Sequence, residues 1–111
     1  MSAFAEVMEK CVAQANDLGL GLDEALITAV AKGLGPSIYN QDSSLVACSD
    51  QEELDRVKNN FLIAKLGLTD GPELSAALAG VCAQMSAATR KQRVIFYSLL
   101  VKHFGKEAMY A

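Results

Sequence analysis

Apolar residues recur along this chain at steps of three and four, the spacing that lines one face of an α-helix. Phe4, Val7, Met8, Cys11, Val12, Ala15 and Leu18 form the first stripe, and Gly19 and Gly21 end it. Asp23 is placed as the N-cap of a second helix with Leu26, Ile27, Val30 and Leu34 on its inner side. Gly33, Gly35 and Pro36 close that helix, because proline cannot continue the hydrogen-bond ladder. Ser49 with Glu52 reads as a capping box for a third helix, whose inner face is Leu54, Val57, Phe61 and Leu62 and whose end is marked by Lys65 and Gly67. Pro72 opens a fourth helix bearing Leu74, Leu78, Val81, Cys82 and Met85. The fifth is predicted to begin near Thr89, with Gln92 three residues on, and to run to Phe104 before Gly105.

The centre of that last segment, Val94 to Val101, is apolar nearly all round. Periodicity alone permits a buried strand there. The length, the cap at Thr89 and the lack of a partner strand favour a buried helix. The expected fold is therefore all-α: a compact array of about five helices around a central apolar C-terminal helix. Phe61 and Tyr97 are expected in its core. "LGLGLDEAL" and "LGLTDGPEL" echo one another as helix-connecting turns. Coincidence in a Leu- and Gly-containing helical chain explains the echo better than duplication does.

Composition adjusts this picture only modestly. At 111 residues the chain forms one domain, residues 1–111. Hydrophobic residues are 51% of it, and much of the excess is alanine, which favours helix and adds little to a core. The longest apolar run, Val94 to Val101, falls far below the ~20 residues needed to span a bilayer. A net charge of −3 supplies no general attraction to nucleic acid or to an anionic membrane. The N-terminus, "MSAFAEVMEK", has no basic region followed by an apolar core, so no secretory signal is expected. The three cysteines, Cys11, Cys48 and Cys82, are odd in number and lack C-x-x-C spacing. They suggest neither a disulfide framework nor a zinc site, and the cytoplasm is the expected compartment. Cys11 and Cys82 are expected to be buried, with Cys48 the most accessible.

Three stretches, "GPSIYNQDSSLVACS", "ELDRVKNNFLIAKLGLTDGPEL" and "VIFYSLLVKHFGKE", resemble a small family of bacterial proteins of about this length, known only as a domain of unknown function. The resemblance covers Gly33 to Tyr110. It implies an all-helical cytoplasmic fold and brings no catalytic residues to carry over.

Candidate chemistry gathers in two places. The polar loop Tyr39, Asn40, Asp42, Ser43 and Ser44 offers several donors and acceptors to a small ligand. Its structural alternative is a connection in which Asn and Asp close turns while Ile38, Leu45 and Val46 anchor it to the core. Arg90, Lys91 and Arg93 place cations at a helix start, where they oppose the dipole. Solvation, pairing with the acids Asp50, Glu52, Glu53 and Asp55, or a bound anion would each offset that. A Cys48–His103 nucleophile pair has no supporting spacing, and His103 suits the last turn of its helix as a cation near the free carbonyls. No metal-ligand spacing and no phosphate-loop pattern occurs, and no cofactor is implied. The expected function is non-enzymatic, through a small anion or a protein partner, with a homodimer among the expected assemblies. The alternative is a ligand-binding protein or enzyme using the Tyr39–Ser44 loop.

Overall fold

A computed structural model describes residues 3–40 and 43–110. Its α-helices are α1 (Ala3–Asp17), α2 (Glu24–Leu34), α3 (Gln51–Val57), α4 (Pro72–Gln84) and α5 (Arg93–His103). A π-helical segment, Lys58–Ile63, continues α3, and 3-10 turns follow α2 at Gly35–Tyr39 and α5 at Glu107–Tyr110. Two short strands, β1 (Leu45–Val46) and β2 (Lys91–Gln92), pair antiparallel, with Leu45 opposite Gln92 and Val46 opposite Lys91.

The apolar stripes face the core, with residues such as Cys11, Ala15, Ile27, Val30, Val57 and Phe61 buried in it and Phe4, Val7, Leu26, Leu34 and Leu54 half-buried against it. All eight residues from Val94 to Val101 are buried, including the polar Ser98. Ser98 Oγ donates to the Val94 carbonyl at 2.7 Å, so its hydroxyl carries no uncompensated burial cost. The all-round apolar character of this segment follows from its position: α5 packs against α1, α2 and α4. Phe61 and Tyr97 are both buried, and their rings stack with centroids 4.0 Å apart. The π-helical turn around Phe61 is visible in its bonds, where Leu66 N–H donates to the Phe61 carbonyl five residues back at 2.9 Å.

Helix ends follow local chemistry. Asp23 caps α2 by accepting from the Ala25 N–H at 3.0 Å. Gly19 and Gly105 take positive φ, 62° and 65°, two residues past the ends of α1 and α5. There Leu20 N–H reaches the Ala15 carbonyl, and Lys106 N–H reaches that of Val101, which satisfies carbonyls left open at the helix ends.

Three expectations are corrected. The N-cap of α3 is Asp50, not Ser49. Asp50 is extended, its carboxylate accepts from the Glu52 N–H at 3.0 Å, and its own N–H is turned back to the Ala47 carbonyl. The last helix starts at Arg93, not Thr89, because Lys91 and Gln92 are drawn into the ladder with β1. The cysteines are crosslinked after all: Cys48 and Cys82 form a disulfide across Cα atoms 6.0 Å apart. Both are half-buried, so Cys82 is not sealed in the core. Sequence spacing could not show this, since the packing of α4 beside the segment that leads into α3 is a tertiary event. Cys11 alone is free and buried, and burial pushes its thiol up to about 11. With a crosslink present, cysteine usage no longer argues for a reducing compartment.

Candidate functional site

The two sequence candidates, the polar loop and the basic cluster, lie far apart in the chain and are adjacent in space. The β1–β2 ladder joins them. Gln14 of α1 reinforces the join: its side-chain amide donates to the Arg90 carbonyl at 2.6 Å and accepts from the Gln92 N–H at 3.0 Å. One side chain thereby ties both ends of a three-residue stretch to α1.

Arg93 stands at the first position of α5 and turns inward. Its Nε–H donates to the Ser43 carbonyl at 2.5 Å, and Nη1 donates to the Tyr97 hydroxyl at 3.0 Å. Nη2 donates to the Leu45 carbonyl at 3.1 Å and to Glu53 Oε1. Arg56 completes the cluster by donating to Glu53 Oε2 at 2.7 Å. The guanidinium also lies 5.5 Å from the centroid of the Tyr97 ring. Burial opposes the charge on Glu53, but hydrogen bonds from Arg56 and Arg93 and their charges outweigh it and hold the carboxyl below its usual range. Burial raises the Tyr97 hydroxyl, with Arg93 acting against it. This cluster is a clamp: it fastens the 43–45 segment and α3 to the start of α5. It also supplies the offset that a cation at a helix N-terminus needs.

The loop is used partly for its own closure. Asn40 Oδ1 accepts from the Ser43 N–H at 3.4 Å, and the Ser43 hydroxyl donates to the Ser37 carbonyl at 2.8 Å. Asp42 lies outside the described residues. Tyr39 and Ser44 face a different environment. With Lys10 and Glu6 of α1, and with Arg90 and Gln92, they line a groove of about 520 Å³, floored by Val7, Ile38 and Leu45. Tyr39 is 50% exposed, so much of its ring is open to an incoming group. Among the described residues the charged groups of the lining are two cations, Lys10 and Arg90, and one carboxylate, Glu6.

The basic cluster therefore divides. Arg93 is committed to the clamp and Arg90 lines the groove. Lys91 donates from Nζ to the Ala88 carbonyl at 2.9 Å. Sequence reasoning missed Lys10 and Gln14. Lys10 sits four residues after Glu6 on one helix face, a readable pair, whereas nothing local marks Gln14. Tyr97 follows Arg93 by four residues, so that contact was also legible in the spacing. His103 is exposed and sits edge-on to Phe104, with ring centroids 4.9 Å apart. Cys48, bonded to Cys82, is not a thiol available to pair with it. Among the described residues no group of three or more His, Cys, Asp or Glu could hold a metal, and no helix is long and apolar enough to cross a membrane.

Helices gathered round an apolar central helix, with a charged clamp at the start of α5, define a small helical domain. The chain belongs to the family described as Protein of unknown function (DUF2853), whose model matches residues 5–108. The match extends over α1 and α2, ahead of the Gly33–Tyr110 span in which the resemblance was strongest. No curated protein matches the chain.

Proposed function

We propose that the protein is a non-enzymatic binding domain that takes a small anion, a carboxylate or a phosphate, in the groove between α1, the Tyr39–Ser44 loop and Arg90. The observation that carries this reading is the convergence of Lys10 and Arg90, from opposite ends of the chain, on one groove beside Tyr39 and Ser44. Opposed cations hold an anion by charge, while a hydroxyl and an aromatic face add orientation. Glu6 limits the site to ligands whose charge can be kept to the Lys10–Arg90 side. The loop and the basic cluster then serve one site, with Arg93 as its support rather than its ligand. A cytoplasmic location is part of the same proposal.

Thermal unfolding in phosphate and in chloride at equal ionic strength tests the site. A ligand at one hundred times its dissociation constant stabilises the folded state by about 2.7 kcal/mol. Wild type should melt higher in phosphate, and Arg90→Gln or Lys10→Gln should lose that specific gain while keeping the general salt response. An equal phosphate response in wild type and both variants would remove the anion site.

A further inference from the structure

We propose that the Cys48–Cys82 bond is an exchange-active disulfide, opened by small anionic thiols that attack at Cys48. Cys48 lies between β1 and α3, and Cys82 lies near the end of α4. Both are half-buried, in contrast to the fully covered Cys11. The Cys48 side opens onto a second groove of about 520 Å³, lined also by Ser49, Thr89, Arg90 and Lys91. Two cations and two hydroxyl residues thus share with Cys48 the lining of this groove, and none of the described lining residues is a carboxylate. Asp50 is close in sequence, but its carboxylate accepts from the Glu52 N–H and caps α3.

That setting selects the thiol and the sulfur attacked. Exchange proceeds by thiolate attack, so cations beside a disulfide gather anionic thiols and stabilise the thiolates that form. The first thiolate forms a bond to Cys48 Sγ as the Cys48–Cys82 bond breaks, and the electron pair leaves on the Cys82 sulfur, which takes a proton. A second thiolate attacks the outer sulfur of the mixed disulfide. It forms the small-molecule disulfide and releases Cys48 as a thiolate beside Arg90 and Lys91. Two thiols are oxidised to one disulfide, and the protein disulfide is reduced to two thiols. The reverse sequence, with a small disulfide as oxidant, closes the bond again. The connection that opens bridges 34 positions of the chain. The clamp on Arg93 and the β1–β2 ladder still hold the 43–46 segment, so the fold survives reduction.

The test compares 2-mercaptoethanesulfonate, 2-mercaptoethanol and cysteamine, which are anionic, neutral and cationic thiols, on the oxidised native protein. Rates of thiol release are expressed per thiolate present, and the first adduct is located by alkylation and mass spectrometry. The anionic thiol should react about fivefold faster than the cationic one, with the adduct on Cys48. The preference should shrink as ionic strength rises, and it should vanish in an Arg90→Gln, Lys91→Gln double variant. The salt series uses wild type alone, so a poorly folded variant does not blunt the test. Resistance to all three thiols, an adduct on Cys82, a preference that ignores both salt and the variant, or three free thiols after equilibration with oxidised glutathione would each overturn the proposal.

Discussion

Arg93 begins α5 with its guanidinium drawn into the protein, whereas Arg90, three residues earlier, lies exposed at the rim of a groove. The two residues carry the same charge on the same side chain, and their surroundings give them opposite roles. Arg93 meets two loop carbonyls, a hydroxyl and a carboxylate that is itself held by Arg56. A planar fork of donors suits that set of acceptors, and an ammonium would not reproduce it. Arg90 contributes its backbone carbonyl to Gln14 and leaves its side chain at the groove. A cation becomes structural when acceptors from several elements converge on it, and Arg90, where they do not, stays exposed.

The largest effect should come from truncating the clamp. Arg93→Ala leaves the Glu53 carboxylate covered with one cation fewer and removes the donors to Ser43 and Leu45. The expected loss is about 3–5 kcal/mol. Arg90→Ala should cost less than about 0.5 kcal/mol, as most surface changes do. Urea unfolding of both variants measures the contrast, and similar midpoints would break it.

A double-mutant cycle sharpens the same point. Arg93→Gln combined with Glu53→Gln should show a coupling of about 1–3 kcal/mol, because the two side chains share one network. The cycle of Arg90→Gln with Glu53→Gln should be additive. Coupling in both cycles would mean that the whole basic segment acts as a unit.

Acid provides the smallest effect and the most specific. The Glu53 carboxyl titrates lower in the folded state than its ordinary value of 4.5. Its stabilising contribution is therefore complete above the unfolded value and is lost as pH falls through the lower folded value. Wild type should lose stability on acidification below about pH 4.5 more steeply than Glu53→Gln. Parallel pH profiles for the two proteins would show that the carboxylate does not hold the clamp. Arg90→Gln should follow the wild-type profile.

Much of the architecture was legible before any coordinates. The apolar stripes marked five helices, the Val94–Val101 run marked the central one, and Asp23, Gly19, Gly67 and Gly105 marked ends. All of these rest on neighbours within about four residues, where helical geometry links sequence to space directly. The stretch from Gly35 to Asp50 shows where that reach ends. Its polar residues were visible, and so were its two readings. The structural reading holds for Asn40 and Ser43, which close the loop on itself, while Tyr39 and Ser44 line the groove on which the proposed anion site rests.

The sequence by itself determined the helical class, most helix ends, the buried C-terminal helix and the family resemblance. Tertiary structure alone decided that Arg93 pairs with Glu53, that Gln14 ties down the Arg90–Gln92 stretch, that Lys10 joins Arg90 at one groove, and that Cys48 meets Cys82. These partners stand 40, 76 and 34 positions apart where the bonds are direct. No local spacing rule spans such distances. Which polar groups meet is set by how the apolar faces of the helices pack, and that packing carries the charges and sulfurs into place with it.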